Sequence, residues 1–230
     1  MICTLLYALL LLSCTRGQTE EPLIGAALTG HGGRDAITRA SVVHASGRIK
    51  AVFLGEEGTY DYWFERKGRR LRVETRYARH SETRVLEGTK ALRGVARGPL
   101  HEVSDFRYEA MLYQYKHIDM LFGLMNGSYR VEDMGEGFTP SGRKSWAFGL
   151  RDEEGPPMTI LLHPSDGMLM YVSGLFDVNG QRAELGTEYY DYRDVGGLML
   201  PFRLVNYAGG TMIAEIQIDS YVMAKPGAVQ

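Results

Sequence analysis

The stretch from Leu200 to Val222 reads LPFRLVNYAGGTMIAEIQIDSYV, and its period decides the fold class. Met212, Ala214, Ile216 and Ile218 alternate with Ile213, Glu215, Gln217 and Asp219. Such a period-two pattern, apolar on one side and mostly polar on the other, is that of a half-solvated strand. Ala208-Gly209-Gly210 separates this run from Leu200 to Tyr207, so the two runs read as an antiparallel hairpin.

Working back from this hairpin, the same signal recurs. Strands are expected at Tyr129 to Met134, Lys144 to Leu150, Met158 to Leu162, Met168 to Val172 and Glu184 to Asp191. Residues 42 to 54 hold one or two more. Thr59 to Arg66 and Arg69 to Arg76 form a pair around the Lys67-Gly68 turn. In the second of these, Leu71, Val73 and Thr75 share one face, and Arg70, Arg72, Glu74 and Arg76 the other. An antiparallel sheet is implied, since buried parallel strands lack this alternation.

Two regions depart from period two. Residues 15 to 30 read as a short tether running into a first helix, with Arg34-Asp35-Ala36-Ile37 continuing helical after Gly32-Gly33. Val103 to Met125 has no Pro and no Gly before Gly123. Phe106, Ala110, Tyr113, His117, Leu121 and Leu124 fall at helical spacing, and Met111, Tyr115, Ile118, Phe122 and Met125 widen the stripe. A helix this apolar must bury most of its circumference, with Ser104 to cap its start and Asn126-Gly127 to end it. A long sheet must curl or pair, and a greasy helix on its concave side leaves either an apolar hollow or a filled core.

Composition narrows the function. The chain has 230 residues, 44% hydrophobic and 23% charged, which excludes disorder, and its two cysteines exclude a disulfide scaffold. The net charge of -2 gives no case for nucleic acid. The charge is uneven, however: residues 61 to 98 hold eleven Arg or Lys against five Asp or Glu. Arg66, Lys67, Arg70, Arg72 and Arg76 are therefore candidates for contact with anionic headgroups or an acidic partner, against the simpler reading of a solvated strand face. None of the six histidines forms a close ligand pair, so neither a metal nor a cofactor is expected. His117 reads as a satisfied buried histidine. No GxSxG, Walker or Rossmann fingerprint is present, and the run Glu188 to Asp194 does not make an acid–base pair by alternation alone. Alternation would set Tyr189, Asp191 and Arg193 against Glu188, Tyr190, Tyr192 and Asp194, and Arg193-Asp194 would pin the turn at Gly196-Gly197. An enzyme is not expected.

The N-terminus begins MICTLLYALLLLSC. Ile2 to Leu12 is too short to span a bilayer but fits the apolar part of an export signal. Leu11-Leu12-Ser13-Cys14 resembles a bacterial lipobox, in which cleavage leaves a lipid-modified cysteine. Residues 1–13 then form the signal peptide, Cys14 the lipidation site, 14–25 the tether and 226–230 a flexible tail. No Lys or Arg precedes the apolar run; simple secretion and a cytosolic protein are the rival readings. Thr15 is similar to the second residue of lipoproteins sent to the outer membrane.

Tyr190-Asp191-Tyr192-Arg193-Asp194-Val195-Gly196-Gly197, then Leu200-Pro201-Phe202, then Ile216-Gln217-Ile218-Asp219, resembles the outer-membrane lipoprotein-sorting and lipoprotein-carrier-like proteins. Gly32-Gly33-Arg34-Asp35-Ala36 is similar to the start of that group, while Leu204 stands where it usually has Ile. The resemblance implies an α+β fold over residues 26–225: a strongly curved antiparallel β half-barrel, with helices covering the concave side and a cavity for acyl chains. It implies a lining drawn from Trp63, Leu71, Val73, Met111, Tyr115, Ile118, Phe122, Met168, Met170, Ile216 and Ile218. The expected function is a non-enzymatic lipoprotein of the bacterial cell envelope, at the periplasmic leaflet of the outer membrane. It would bind lipid or an acylated protein, meet the membrane surface through Cys14, and serve lipoprotein or lipid sorting, with an envelope protein as a further partner. The alternative is a structural or protein-interaction module of the envelope without a ligand cavity.

Overall fold

Apolar residues at every second position, punctuated by glycine turns, build most of the molecule as successive hairpins. A computed structural model describes residues 20–96, 98–178 and 180–223. Its described helices are α1 (Glu20–Gly30), α2 (Gly33–Arg39), α3 (Asp105–Ile118) and α4 (Met120–Met125). The first six strands are β1 (Val42–Ala51), β2 (Glu56–Glu65), β3 (Arg70–Tyr77), β4 (Ser81–Glu87), β5 (Lys90–Val95) and β6 (His101–Val103). After α4 come β7 (Arg130–Phe138), β8 (Lys144–Arg151), β9 (Met158–Leu162), β10 (Leu169–Val178), β11 (Gln181–Val195), β12 (Leu198–Ala208) and β13 (Thr211–Met223).

All thirteen strands join one sheet in the order β6-β5-β4-β3-β2-β1-β13-β12-β11-β10-β9-β8-β7. The pairings are antiparallel, and β1 meets β13 to close the N-terminal half onto the C-terminal half. This corrects the expected architecture. The α+β class and the antiparallel sheet hold, but the sheet is open and not the strongly curved half-barrel. Its order ends at β6 on one side and β7 on the other, and these two do not pair. Alternation reports which face a residue takes, not how the sheet bends, so the sequence pattern fitted both shapes.

The helices lie on one face. α3 reaches β10 from one half of the sheet and β4 and β5 from the other, while α2 packs on β12 and α1 on α2. The core between them centres on fully buried Phe64, Leu71, Leu86, Leu112, Met120, Phe148, Ile160 and Ile218. The Tyr113 hydroxyl donates to the Val172 carbonyl at 2.9 Å and fixes α3 to β10. A small second cluster, Ala147, Leu161 and Tyr171, packs on the opposite face.

The single helix expected over 103–125 is instead a strand residue, a cap and two helices. Val103 ends β6, Ser104 takes the N-cap position, and the helix breaks at Asp119 between α3 and α4. Among the described side chains of α3 Arg107 alone is fully exposed, and the rest are buried or half-buried, in keeping with the wide apolar stripe.

Two of the breaks in alternation shape the face under the helices. In β13, Asp219 is an extra residue opposite the Ser46–Gly47 step of β1, so core-facing positions shift from Ile216 and Ile218 to Tyr221. Gly47 permits this β-bulge, because a side chain there would meet the Gln217 carbonyl oxygen at 2.1 Å. In β11, Asp191 has a φ of 53°, and the face changes across it. Tyr189 and Tyr192, expected on opposite faces, both turn to the helix side.

Candidate functional site: an apolar hollow beneath the helix pair

The two face changes put tyrosines where alternation would not. Tyr189 and Tyr192 of β11, Tyr221 of β13, and Tyr60 and Tyr62 of β2 converge under α4 and the end of α3. With Phe64, His31, Ile37, His117, Ile118, Met120 and Phe122 they wall an apolar cavity of about 100 Å³. A neighbouring hollow of about 140 Å³ shares Tyr60, His117 and Leu204 with it and has more polar walls, including Arg84, Gln114 and Asn206. The larger trough of about 320 Å³ is a different feature: Arg48, Lys50, Glu57, Glu215 and Gln217 line it on the sheet.

Most hydroxyls of the tyrosine cluster are tied down. Tyr192 donates to the Leu169 carbonyl and Tyr221 to the Pro201 carbonyl, each at 2.6 Å. Burial pushes the Tyr60 hydroxyl up to about 12, against the opposing influence of Arg84 and Gln114. It drives the Tyr189 hydroxyl well above the usual phenol range, and that oxygen has no hydrogen-bond partner among the described residues.

Two histidines complete the polar content. His31 lies in the α1–α2 turn and is 1% exposed. Its Nδ1 stands 2.7 Å from the Ala27 carbonyl. A carbonyl only accepts, so Nδ1 carries the proton and Nε2 presents a lone pair. Nε2 has no partner among the described residues, and burial lowers the ring's pKa. His117, expected to be buried and satisfied, is half-buried, and its shielded Nδ1 has no partner among the described residues; desolvation lowers its pKa to about 4. Both rings are therefore neutral at pH 7.

The helix break is fastened from below. Arg66, just after β2, donates through Nε to the Asp119 carboxylate at 2.7 Å. Its other nitrogens reach the Ile37, Thr38 and Ala40 carbonyls at 3.3–3.4 Å, and its guanidinium lies 3.8 Å from the Phe122 ring centre. One side chain thus holds α2, α4 and the end of β2 together over the hollow. Burial raises the Asp119 carboxyl and outweighs the lowering by Arg66.

Of the eleven side chains assigned to a cavity from sequence, Ile118 and Phe122 line this one. Leu71, Val73, Met111, Tyr115, Ile216 and Ile218 are packed into the core, with Ile216 also bordering the neighbouring hollow. Met170 is buried, and Met168 sits by Gly30. Trp63 stacks on His44 at 4.6 Å, away from the cavity. The signal that would have found its neighbours was in the sequence. The Lys67-Gly68 turn pairs Leu71 with Phe64 and Val73 with Tyr62, so the face holding Leu71 and Val73 must hold Tyr62 and Phe64.

The basic group is largely neutralised within the fold. Besides Arg66, Arg70 pairs with Glu65 at 3.3 Å and Glu87 at 3.1 Å, and Arg72 and Arg76 both pair with Glu74. Although desolvation pushes the Glu74 carboxyl up, these two guanidiniums hold it below its ordinary value. Lys67 is exposed in the turn. Cys14, the signal segment 1–13, tether residues 14–19 and the tail 226–230 lie outside the described residues; α1 begins at Glu20, within the segment read as tether.

The run Glu188 to Asp194 is held by local pairing. Glu188, fully buried, accepts from Ser141 at 2.5 Å, Arg143 at 2.7 Å and Tyr207 at 3.1 Å. Arg193 pairs with Asp191, and the Asp194 carboxylate accepts from the Gly197 N–H at 3.1 Å, which pins the turn as the sequence suggested. The two glycine motifs at opposite ends of the chain meet here. A side chain at Gly32 would come within 1.9 Å of the Gly197 carbonyl oxygen, and Met199 N–H donates to the His31 carbonyl at 3.2 Å.

No family model matches the chain, and no curated protein is similar to it. Solved structures do match. A LolA superfamily protein from Nitrosomonas europaea aligns at a TM-score of 0.51 and 12% identity, covering 83% of this chain and 93% of that one. A DUF1329 family protein from Desulfovibrio piger aligns at a TM-score of 0.54 and 9% identity, covering 90% and 93%. A domain assigned to outer-membrane lipoprotein sorting, from Vibrio parahaemolyticus, aligns at 0.51 and 10% identity, covering 88% and 93%. The chain therefore shares the fold of these solved structures, one of which is a LolA superfamily protein. At these identities the likeness is one of fold, and a fold hosts many functions.

Proposed function

We propose that the chain is a non-enzymatic interaction module of the bacterial cell envelope, which engages a protein partner through its surface rather than enclosing a whole acyl chain. The observation that carries this reading is the size of the hollow. At about 100 Å³ it lies well below the roughly 300–1,000 Å³ of typical ligand pockets. Arg66 clamps the helices above it. The surface meanwhile offers apolar contact at the β1–β2 hairpin, where Val52, Phe53 and Leu54 are 43%, 74% and 56% exposed. The envelope location rests on the fold and on the lipobox-like Leu11 to Cys14.

The second reading, binding of an acyl chain, is favoured by one observation. The two hollows share Tyr60, His117 and Leu204, so they adjoin at these side chains and together offer more room than either alone. The two readings separate in one experiment. The protein carries a photo-crosslinking residue at position 53 in bacterial cells, and the purified protein is weighed by native mass spectrometry. A discrete crosslinked protein, with no stoichiometric lipid, is expected. Phospholipid or acylated peptide at one per chain, without a crosslink, would replace the first reading with the second.

A further inference from the structure

The helix pair over the hollow ends in a chemically reactive turn. In an asparagine–glycine pair the glycine nitrogen can attack the asparagine side-chain amide, and glycine has no Cβ to shield that nitrogen. The chain holds two such pairs, Asn126-Gly127 and Asn179-Gly180, and residue 179 lies outside the described residues. Asn126 and Gly127 form the turn between α4 and β7, and both are exposed. A side chain built at Gly127 would meet no atom within 4 Å, so the turn has open space around it. The Gly127 N–H makes one long hydrogen bond, at 3.4 Å to the Leu124 carbonyl.

The next residue makes this more than an open loop. Asn126 Oδ1 accepts from the Ser128 main-chain N–H at 3.1 Å and from the Ser128 hydroxyl at 2.6 Å. An asparagine oxygen bonded to the N–H two residues on folds the side chain back along its own main chain, as a turn carbonyl would. Bonding of the Gly127 nitrogen to Asn126 Cγ then closes a small ring within one molecule, which is entropically favoured over attack from solution. Negative charge develops on Oδ1 during that attack, and the two Ser128 donors already point at this oxygen. The Asn126 ψ of 3° must turn for the ring to close, and the open space at Gly127 admits the turn.

We propose that Asn126 is a site of covalent self-modification assisted by Ser128. The Gly127 nitrogen gives its proton to solvent base and bonds to Asn126 Cγ. The Cγ–Nδ2 bond breaks, the amide group takes a proton and leaves as ammonia, and a succinimide ring remains. Water opens the ring at either carbonyl, giving aspartate or isoaspartate with no change of oxidation state. Either product adds a negative charge, and isoaspartate also lengthens the main chain, in the turn that carries α4 into β7. This goes beyond the surface-docking function and does not rest on it.

The test incubates the full-length protein at pH 8 and follows the peptide containing residues 126–128 by mass spectrometry, apart from the peptide containing Asn179-Gly180. The peptide should gain one mass unit and separate into aspartate and isoaspartate forms. Gly127→Ala, which shields the nitrogen, should slow the change several-fold. Ser128→Ala should slow it about two- to tenfold in the folded protein, as the loss of one hydroxyl donor provides, and should have no effect in urea, where the turn is gone. Both variants alter exposed turn residues, and circular dichroism checks that they stay folded. A peptide that changes in urea but not in the folded protein overturns the proposal, because the fold then protects Asn126. So does a faster change in folded Ser128→Ala, which would make the serine a restraint, or a Ser128 effect of the same size in urea, which would make the turn irrelevant.

Discussion

Replacing Arg66 by Met keeps the length of the side chain and removes its charge and its donors. The loss can be worked from the contacts. The Arg66 and Asp119 side chains are 17% and 13% exposed, so theirs is a nearly buried pair. Removing one partner of such a pair costs about 3–5 kcal/mol, chiefly by leaving the other charge unpaired. Asp119 can escape part of that penalty, because burial already raises its pKa and makes protonation easier. This moves the pair contribution to the lower end. The ring contact with Phe122 adds about 0.5–1 kcal/mol, and the three carbonyl contacts, at 3.3–3.4 Å, add little. Arg66→Met should therefore destabilise by about 3–4 kcal/mol, or roughly 6–16 °C in Tm for a chain of this size. Asp119→Asn keeps an amide oxygen that can still accept from Arg66 Nε, so it should cost less, about 1–2 kcal/mol. Urea unfolding of the two single variants and the double variant gives the coupling energy, and amide exchange should show opening in α4 first. A cost below about 1 kcal/mol for Arg66→Met, or a costlier Asp119→Asn, would refute Arg66 as the clamp.

Two further outcomes follow from buried groups and tight backbone contacts. His117 has its folded pKa lowered from 6.5 to about 4. Above pH 6.5 it is neutral in both states and stability is unaffected; between 6.5 and 4 the unfolded chain binds a proton that the folded one refuses. Stability should fall across that window by about 3 kcal/mol from this residue, and His117→Phe should flatten the loss in urea titrations at pH 7 and pH 4.5. Gly32→Ala places a Cβ 1.9 Å from the Gly197 carbonyl oxygen at a φ of 107°, so it should destabilise by more than about 2 kcal/mol in thermal unfolding, whereas Gly33→Ala meets no atom within 4 Å and should cost less.

Alternation in the sequence determined the antiparallel sheet, the hairpins around Lys67-Gly68 and Gly209-Gly210, and the burial of the stripe from Phe106 to Met125. These are local matters: a period of two assigns faces and a glycine turn sets register within a few residues. The glycine and tyrosine motifs also carried the resemblance that the fold then matched. The strands β4 and β5 escaped notice because SETRVLE and KALRGV are too polar to show a clear apolar face.

What the tertiary structure alone decided was everything set by partners distant in the chain. The basic group looked like a surplus until Glu65, Glu74, Glu87 and Asp119 were brought to it. The apolar helix looked continuous until Arg66 met Asp119 at its break. Above all, the hollow depends on two face changes, at Asp191 and at Asp219, and the second exists because Gly47 of β1 lies opposite it. A sequence pattern records the average face of a strand. A single left-handed residue or a bulge reverses that face for every residue beyond it, which is how Tyr189, Tyr192 and Tyr221 came to surround one cavity with His31.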